Sequence, residues 1–415
     1  MILIKSPINC IFDSVYSTIE SNQPDIFMKI LITVSVRWWN ANAYYAISAA
    51  KALSASGHQV YVAGDPTYPP TIRAESEGLH TIKIRFASFN PVILIIDWVK
   101  LYRFTKREEI DIINAHRSED HLLTAFIALK LGIPLVRTLG DVRNPKDNFI
   151  NRWLHMKVTD FHILSSESIW VRYISTWPNF NPNKSVILGG VDGREYYHTE
   201  RKKEKLITQL RIPHQSLVVG MVGRLSPIKG HVNFITAASL ILEKIPEVLF
   251  IISGNEEEVF IKDLNLLVCS LNMGDHFRIF DRYEPVRDLM SIFTVGVIAS
   301  KDSEVIARVA MEYIATGTPV VATDINVLPE VVQNNRNGLI VAADDAYEMA
   351  EAITRLLDDE ALRIQISKNN LDDFKRKFDI FLVAQSITTI YDSLINSTEL
   401  VASQKNAAGS DNKTD

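Results

Sequence analysis

Ser300-Lys301-Asp302-Ser303-Glu304-Val305-Ile306-Ala307-Arg308-Val309-Ala310-Met311-Glu312-Tyr313-Ile314-Ala315-Thr316-Gly317-Thr318-Pro319-Val320-Val321-Ala322-Thr323-Asp324 is the stretch in which the fold of this chain is decided. Just before it, Val295–Ala299 is a short apolar run of the kind that forms a buried strand. Ala307–Ala315 then places apolar residues at helical spacing, and Gly317 suits a helix end in the left-handed backbone region. Pro319 opens a second apolar run, Pro319–Ala322, in the first-residue position a strand tolerates. Strand, helix and strand within about thirty residues make a βαβ unit, and such units build a parallel sheet covered on both faces.

The same alternation extends in both directions. Downstream come Gly338–Val341, a helical stretch from Ala346 to Asn369, and another from about Leu371 to Asn396. Upstream, strands are expected at Leu217–Val222, Val248–Ile252 and Phe277–Phe280, with helices at Val232–Leu242 and Phe260–Leu271. A turn-rich Gly189-Gly190-Val191-Asp192-Gly193 and a charged Arg201-Lys202-Lys203-Glu204-Lys205 separate this series from an earlier one. The earlier series has strands at Ile30–Val36, Gln59–Ala63, Thr81–Ile84, Ile110–Ala115, Pro134–Thr138, Phe161–Ser165 and Ser185–Leu188, with helices around Tyr44–Ser56, Val92–Arg107 and His121–Leu131. Two βα series predict two doubly wound α/β domains, 28–200 and 201–375, followed by a helix over 376–396. Residues 1–27 read as an appendage outside the fold, their apolar stretches broken by Lys5, Pro7, Asn9 and Asp13. Residues 397–415 have almost nothing to bury and are expected to be disordered.

Composition narrows the function classes. The 415 residues are 47% hydrophobic and 22% charged, ordinary for a protein with real cores, and their Gly and Pro content excludes collagenous or low-complexity architecture. A net charge of −5 gives no global footprint for nucleic acid. Two cysteines, Cys10 and Cys269, cannot build a disulfide framework, no Cys/His cluster has zinc-ligand spacing, and no metal site is expected. No apolar run reaches the roughly 18 residues of a membrane span. A cytoplasmic protein is the simplest expectation.

Two segments carry the chemistry. Glu304 falls just past the C-terminal end of Val295–Ala299, where open α/β sheets bind their ligands. Glu312 follows on the next helix, too far for an adjacent acid/base dyad but suited to gripping another part of one long polyhydroxyl ligand. The second segment, Gly220-Met221-Val222-Gly223-Arg224-Leu225-Ser226-Pro227-Ile228-Lys229-Gly230, ends a strand in a glycine-bearing loop with one Arg and one Lys. A planar guanidinium and a point charge together suit a diphosphate. The loop is no Walker A, because neither Ser nor Thr follows Lys229.

Together these segments resemble the retaining GT-B glycosyltransferases of the glycosyl transferases group 1 family (family 4-like), over about Val218 to Leu357. The resemblance implies two Rossmann-like domains facing a cleft, with the C-terminal helix crossing back to the N-terminal domain. It implies a nucleotide-diphosphate sugar as donor, and a saccharide or lipid-linked saccharide as acceptor on the N-terminal domain. Gly223, Arg224 and Lys229 would hold the donor diphosphate, Glu304 the sugar hydroxyls, and Glu312 the ribose. Asp111-Ile112-Ile113-Asn114-Ala115-His116 resembles the family's strand ending in a His beside the reacting sugar, and Asp192 matches its Gly-Val-Asp turn. Front-face attack with retention, no divalent metal and no resident cofactor follow from the same resemblance, as does a setting in cell-envelope polysaccharide or lipopolysaccharide assembly.

The chain also departs from the family. Val305-Ile306-Ala307-Arg308 stands where Gly-Phe-Gly is common, and Arg308 is open to a phosphate contact or a pairing with Glu304. Val36-Arg37-Trp38-Trp39-Asn40-Ala41-Asn42 replaces a Gly-Gly loop, with Trp38 and Trp39 either interface core or an acceptor platform. Arg137, Asp141 and Arg143 fit an ion pair as well as an acceptor contact. A nucleotide-sugar epimerase and a catalytically silent nucleotide-sugar binder are the competing readings. Trp98–Arg107, aromatic and basic on a helix, admits peripheral contact with the inner face of a membrane or a packed helix with a charged edge.

Overall fold

The computed structural model describes residues 27–141, 143–196, 200–213, 216–302 and 304–410. The expectation for 1–27 therefore lies outside the described residues except at Phe27, which is exposed next to the buried Met28.

The described residues up to Gly190, together with Ile380–Ser410, form one compact unit. Its strands are β1 (Lys29–Val34), β2 (Gln59–Gly64), β3 (His80–Lys83), β4 (Ile112–Ala115), β5 (Leu135–Leu139), β6 (Phe161–Leu164) and β7 (Lys184–Val186). They pair in parallel in the order β3-β2-β1-β4-β5-β6-β7. Strand periodicity sorts the core. Ile30, Ile32, Val34, Val60 and Val62 face one apolar cluster with the helix Ala41–Ala55, while Leu31, Tyr61, Ala63, Ile113 and Ala115 face another on the opposite side. A sheet buried on both faces needs such continuous apolar strands, which is why they were readable.

The second unit is Val191–Asp379. It contains β8 (Val218–Val222), β9 (Leu249–Ser253), β10 (Phe277–Phe280), β11 (Val295–Ile298), β12 (Val320–Thr323) and β13 (Gly338–Val341), parallel in the order β10-β9-β8-β11-β12-β13. Its core gathers Phe234, Phe250, Ile252, Val297, Ile353 and their neighbours. In both units every expected strand is present, with ends within two residues of those read from the sequence.

The boundaries differ from expectation. The second unit begins at Val191, before residue 200, because the Val191 N–H donates to the Phe378 carbonyl at 2.9 Å and ties the opening of the unit to its close. The charge cluster Arg201–Lys205 is no separator; it lies within the helix Glu200–Gln209, and Lys, Arg and Glu are strong helix formers. The last helix runs Ile380–Ser410, beyond both the expected end at 396 and into the stretch expected to be disordered, where Ala402, Gln404, Lys405 and Ala407 favour helix. It returns to the first unit as expected: Ala384, Ile387 and Tyr391 join the cluster around Ala41–Ala55, and the Tyr391 hydroxyl accepts a 2.7 Å hydrogen bond from Asn114 Nδ2.

Candidate functional site

A doubly wound sheet opens a crevice beyond the C-terminal ends of the two strands where its order reverses. In the second unit those strands are β8 and β11. The chain leaves β8 through Gly223 and Arg224 into a single 3-10 turn, Pro227–Lys229, and Gly230 with φ 74°. A Cβ on Gly230 would sit 1.9 Å from the Ala299 carbonyl oxygen, so glycine alone lets this loop lie against the exit of β11. The Lys301 N–H, donating to the Ile228 carbonyl at 2.8 Å, fastens the two loops together.

That apposition joins two of the residues singled out from the sequence. Lys229 Nζ donates to Glu304 Oε1, and Ser300 Oγ donates to the same oxygen at 2.6 Å. The two charged side chains are only 17% and 14% exposed, and desolvated charges hold such positions when paired. An incoming diphosphate can take the lysine and sugar hydroxyls the carboxylate, so the pair is a ready exchange partner for both ends of one ligand. Beside it, a Cβ on Gly223 would meet nothing nearer than Lys229 Cδ at 3.9 Å, leaving room along the lysine stem. Arg224 is directed elsewhere: its Nη1 donates to both carboxylate oxygens of Glu257, at 2.7 and 2.6 Å, in a half-exposed pair of the kind worth little to stability.

Glu312 lies in the helix Arg308–Thr316 and is buried. Its Oε1 accepts from the Tyr196 hydroxyl and from Arg308 Nε, both at 2.7 Å. Arg308 thus pairs with Glu312, not Glu304. The helix starts at Arg308, which puts residues 308 and 312 on one face a turn apart, whereas Glu304 precedes the break at Ala307. Ala307 itself adopts φ 48°, ψ 38°, a left-handed conformation that favours glycine. The departure from Gly-Phe-Gly therefore changes the residue while keeping the backbone geometry a glycine would have.

His116 belongs to the other unit and lies at that unit's own reversal point, between β1 and β4. Its N–H donates to the Thr33 carbonyl at 3.2 Å. The ring is buried, its nitrogens without protein partners among the described residues, and burial followed by the nearby Arg137 charge pulls its pKa down to about 3. It is a neutral imidazole across the physiological range. Arg137 is buried too, donating to the Ala115 and Thr138 carbonyls at 2.9 and 3.2 Å. Asp120 accepts the N–H groups of Ser35 and Arg117 at 3.0 and 2.9 Å, while burial pushes its carboxyl up to about 7. Arg143 and Asp141 form an ion pair at 2.6 Å, shared with Arg117 at 2.8 Å. Trp39 packs against Tyr44 with the Arg73 guanidinium 4.5 Å above its ring, whereas Trp38 is 69% exposed.

Three contributors escaped the sequence reading. Ser300 had a signal, lying two residues past the C-terminal end of β11. Tyr196 lies four residues beyond Asp192, at the end of the short helix Gly193–Tyr196 that follows the turn singled out from the sequence. Glu257 had none, since its partner Arg224 is 33 residues away on a different loop.

Comparison with known proteins bears on the whole arrangement. The profile of Glycosyl transferases group 1 matches residues 202–373, and that of Glycosyltransferase Family 4 matches residues 43–162. The chain is 28% identical over 281 residues to the D-inositol 3-phosphate glycosyltransferase of Corynebacterium urealyticum, covering 66% of each chain. It is 27% identical over 318 residues to the UDP-Gal:alpha-D-GlcNAc-diphosphoundecaprenol alpha-1,3-galactosyltransferase of Escherichia coli, covering 72% of this chain and 79% of that one. The matched stretch spans 66%, 63% and 50% of the length of the first three curated relatives. In fold the chain is similar to HepE of Anabaena, solved in complex with UDP, with a TM-score of 0.77, 21% identity, and coverage of 88% of this chain and 100% of that one.

Proposed function

The chain belongs to the group 1 glycosyltransferases, with the two Rossmann-like units of the GT-B fold, and from that premise we propose that it moves a sugar from a nucleotide-diphosphate sugar to an acceptor hydroxyl with retention of anomeric configuration. The observation that carries the proposal is the Lys229–Glu304 pair at the reversal point between β8 and β11.

In this reading the second unit holds the donor. Lys229 leaves Glu304 for the diphosphate, and Arg224 leaves Glu257 to join it. Negative charge grows on the departing diphosphate as the glycosidic bond breaks, and preorganised cations stabilise that charge most strongly where water is excluded. Glu304, with Ser300 fixing one of its oxygens, grips the sugar hydroxyls; Glu312, oriented by Tyr196 and Arg308, grips the ribose. His116, neutral and on the first unit, serves the sugar being transferred by hydrogen bonding and not as a charged acid. No divalent ion is required, so chelation leaves the rate unchanged. The acceptor is a saccharide or lipid-linked saccharide of cell-envelope assembly on the cytoplasmic side. The diphosphoundecaprenol-linked acceptor in the name of the Escherichia coli relative supports that class.

The test is turnover of nucleotide-diphosphate sugars by wild type and Glu304→Ala with a panel of saccharide acceptors. The variant is expected to lose about a hundredfold or more in kcat, the scale of removing one preorganised polar contact to the reacting group. Unchanged turnover would overturn the site. An altered nucleotide sugar released without acceptor would make the protein an epimerase, and tight donor binding with no turnover would make it a silent binder.

A further inference from the structure

Five of the six tryptophans of this chain are engaged within the fold. Trp177 is buried, its Nε1–H donating to Asp147 at 2.9 Å. Trp98 donates to the Leu123 carbonyl at 3.2 Å and stacks on Tyr102. Trp153 packs against Phe126, Trp170 contacts both Phe180 and the Lys184 ammonium, and Trp39 contacts both Tyr44 and the Arg73 guanidinium. Trp38 differs from all of them. It is 69% exposed, and among the described residues its ring has no aromatic or cationic partner and its Nε1–H no acceptor. A single exposed apolar residue on a surface needs no explanation, but the place of this one does. Trp38 lies four residues past the end of β1, and β1 and β4 are the strands between which the first sheet reverses its order. Loops beyond such a point are where a doubly wound sheet binds its ligands.

The bend that carries Trp38 is held on both sides. Before it, the Ser35 N–H donates to Asp120 at 3.0 Å and Val36 is buried. After it, Trp39 packs edge-on against Tyr44 at 6.3 Å, and Asn40 caps the helix Ala41–Ala55 by accepting from the Ala43 N–H at 3.0 Å. A side chain on so fixed a base loses little freedom when a ligand covers it, which favours binding. The indole itself indicates the class of ligand. It offers a flat apolar face with one N–H donor at its edge. A pyranose ring matches both features, since its axial C–H groups make an apolar face and its hydroxyls surround the edge. Arg37, exposed on the same bend, adds planar hydrogen-bond donors for those hydroxyls. Its charge also disfavours a cationic ligand, the other class that an indole face attracts.

We propose that Trp38 is the stacking platform of a saccharide site at the C-terminal end of β1, where it takes the apolar face of a pyranose ring while Arg37 donates to the ring's hydroxyls. The inference rests on the transferase reading and adds to it the side chain that meets the acceptor sugar. Trp39, one residue on, has the opposite role, its ring serving to fix the loop. All of these residues belong to the first unit, whereas the residues assigned to the donor diphosphate belong to the second, so the two sites can be tested separately.

The probes that test it are methyl β-D-glucopyranoside, methyl β-D-galactopyranoside and methyl N-acetyl-β-D-glucosaminide. Each is titrated, with UDP present, into the full chain carrying isotope-labelled tryptophan, and the indole N–H resonances are followed. The Trp38 resonance is identified by its loss in Trp38→Phe. At least one glycoside is expected to shift it saturably while leaving the Trp39 resonance in place. Trp38→Ala should weaken binding of that glycoside about tenfold, the scale of one aromatic stacking contact, with Trp38→Phe between the two. For an acceptor that is turned over, Trp38→Ala should raise the acceptor KM about tenfold and leave the KM of the nucleotide sugar within about twofold. Because Trp38 is exposed, both variants should keep the wild-type melting temperature and UDP affinity. A Trp38 resonance unmoved by all three glycosides overturns the proposal, as does unchanged glycoside affinity in Trp38→Ala. Self-association lost in Trp38→Ala, with no glycoside effect, would reassign the indole to a contact with a second copy of this chain. UDP binding retained beside either failure confines it to Trp38, whereas a wild type that does not bind UDP would count against the transferase reading itself.

Discussion

The two sheets reverse their strand order in the same way, yet the residues at the two reversal points are of opposite kinds. Beyond β8 and β11 are Lys229, Glu304 and Arg224, the last paired with Glu257 from the loop after β9, charged groups satisfied by one another and partly open to water. Around the ends of β1, β4 and β5 are His116, Arg137, Asp120, Thr33 and Ser35, all buried, several with polar atoms lacking a protein partner among the described residues. The half-exposed Arg224–Glu257 pair can be exchanged for the charges of a ligand at small cost, whereas the largely desolvated Lys229–Glu304 pair can exchange only where a ligand's own groups replace each partner. Buried polar groups cannot move so freely, since an unpaired one costs about 1–3 kcal/mol, and they serve to fix geometry around a neutral imidazole. One topology thus carries paired charges in one unit, the anion site of the proposed function, and a buried polar nest in the other.

The largest expected effect tests this contrast directly. Lys229→Ala should weaken binding of nucleoside diphosphates by ten- to about a hundredfold, the loss of a charge-assisted hydrogen bond, with Arg224→Ala in the same direction. His116→Ala should leave that affinity within about twofold. Calorimetric titration of the three variants decides the matter, and comparable losses in all three would erase the distinction between the reversal points.

Acid should separate the units next. Burial pulls the pKa values of His116 and His162 down to about 3, and those of His121 and His155 well below the ordinary value, all in the first unit. The unfolded chain takes up protons at these positions as pH falls through about 6.5, where the native unit does not, so stability is lost as pH drops through and below that value. Each such histidine removes about 1 kcal/mol per pH unit below about 6. Asp120 acts in the opposite sense between its ordinary value and about 7, and Asp160, raised by burial, acts with it, while His58, lowered by burial, joins the other four histidines, so two groups stand against five. The second unit has the buried His231, lowered to about 4. Hydrogen exchange at pH 5.5 and 7.5 should show protection lost first in the sheet β1–β7. Equal loss in both sheets would break the expectation.

The smallest effect sharpens the picture of the second unit. Ala307 holds a left-handed backbone that costs an L-residue about 1 kcal/mol, so Ala307→Gly should raise stability by up to about that amount, less what the freer unfolded chain takes back. Urea denaturation measures it. A destabilised Ala307→Gly would mean that the alanine methyl contributes packing that outweighs its strain.

Most of the fold was legible because its signals are local. A strand buried on both faces announces itself in four to six apolar residues bounded by Gly, Pro or charge, and the helix break at Gly317 is carried by one residue and its φ of 74°. Elements that defied their local cue were misjudged. Arg201–Lys205 looked like a separator although its residues favour helix. In the candidate site, the chemistry-bearing residue types could be named from their place after strands, but their partners could not.

By itself, then, the sequence determined two βα series and the charged residues that follow β8 and β11, because apolar period and turn residues act over a few positions. Tertiary structure alone decided that Lys229 meets Glu304 across 75 residues, that Tyr196 reaches Glu312 across 116, and that Tyr391 returns to Asn114 across 277. It also decided that Arg308 turns to Glu312 and that Phe89–Ile96, more than the aromatic segment after it, faces outward. Strand order and the close approach permitted by Gly230 set those distances, and neither is written in any local pattern.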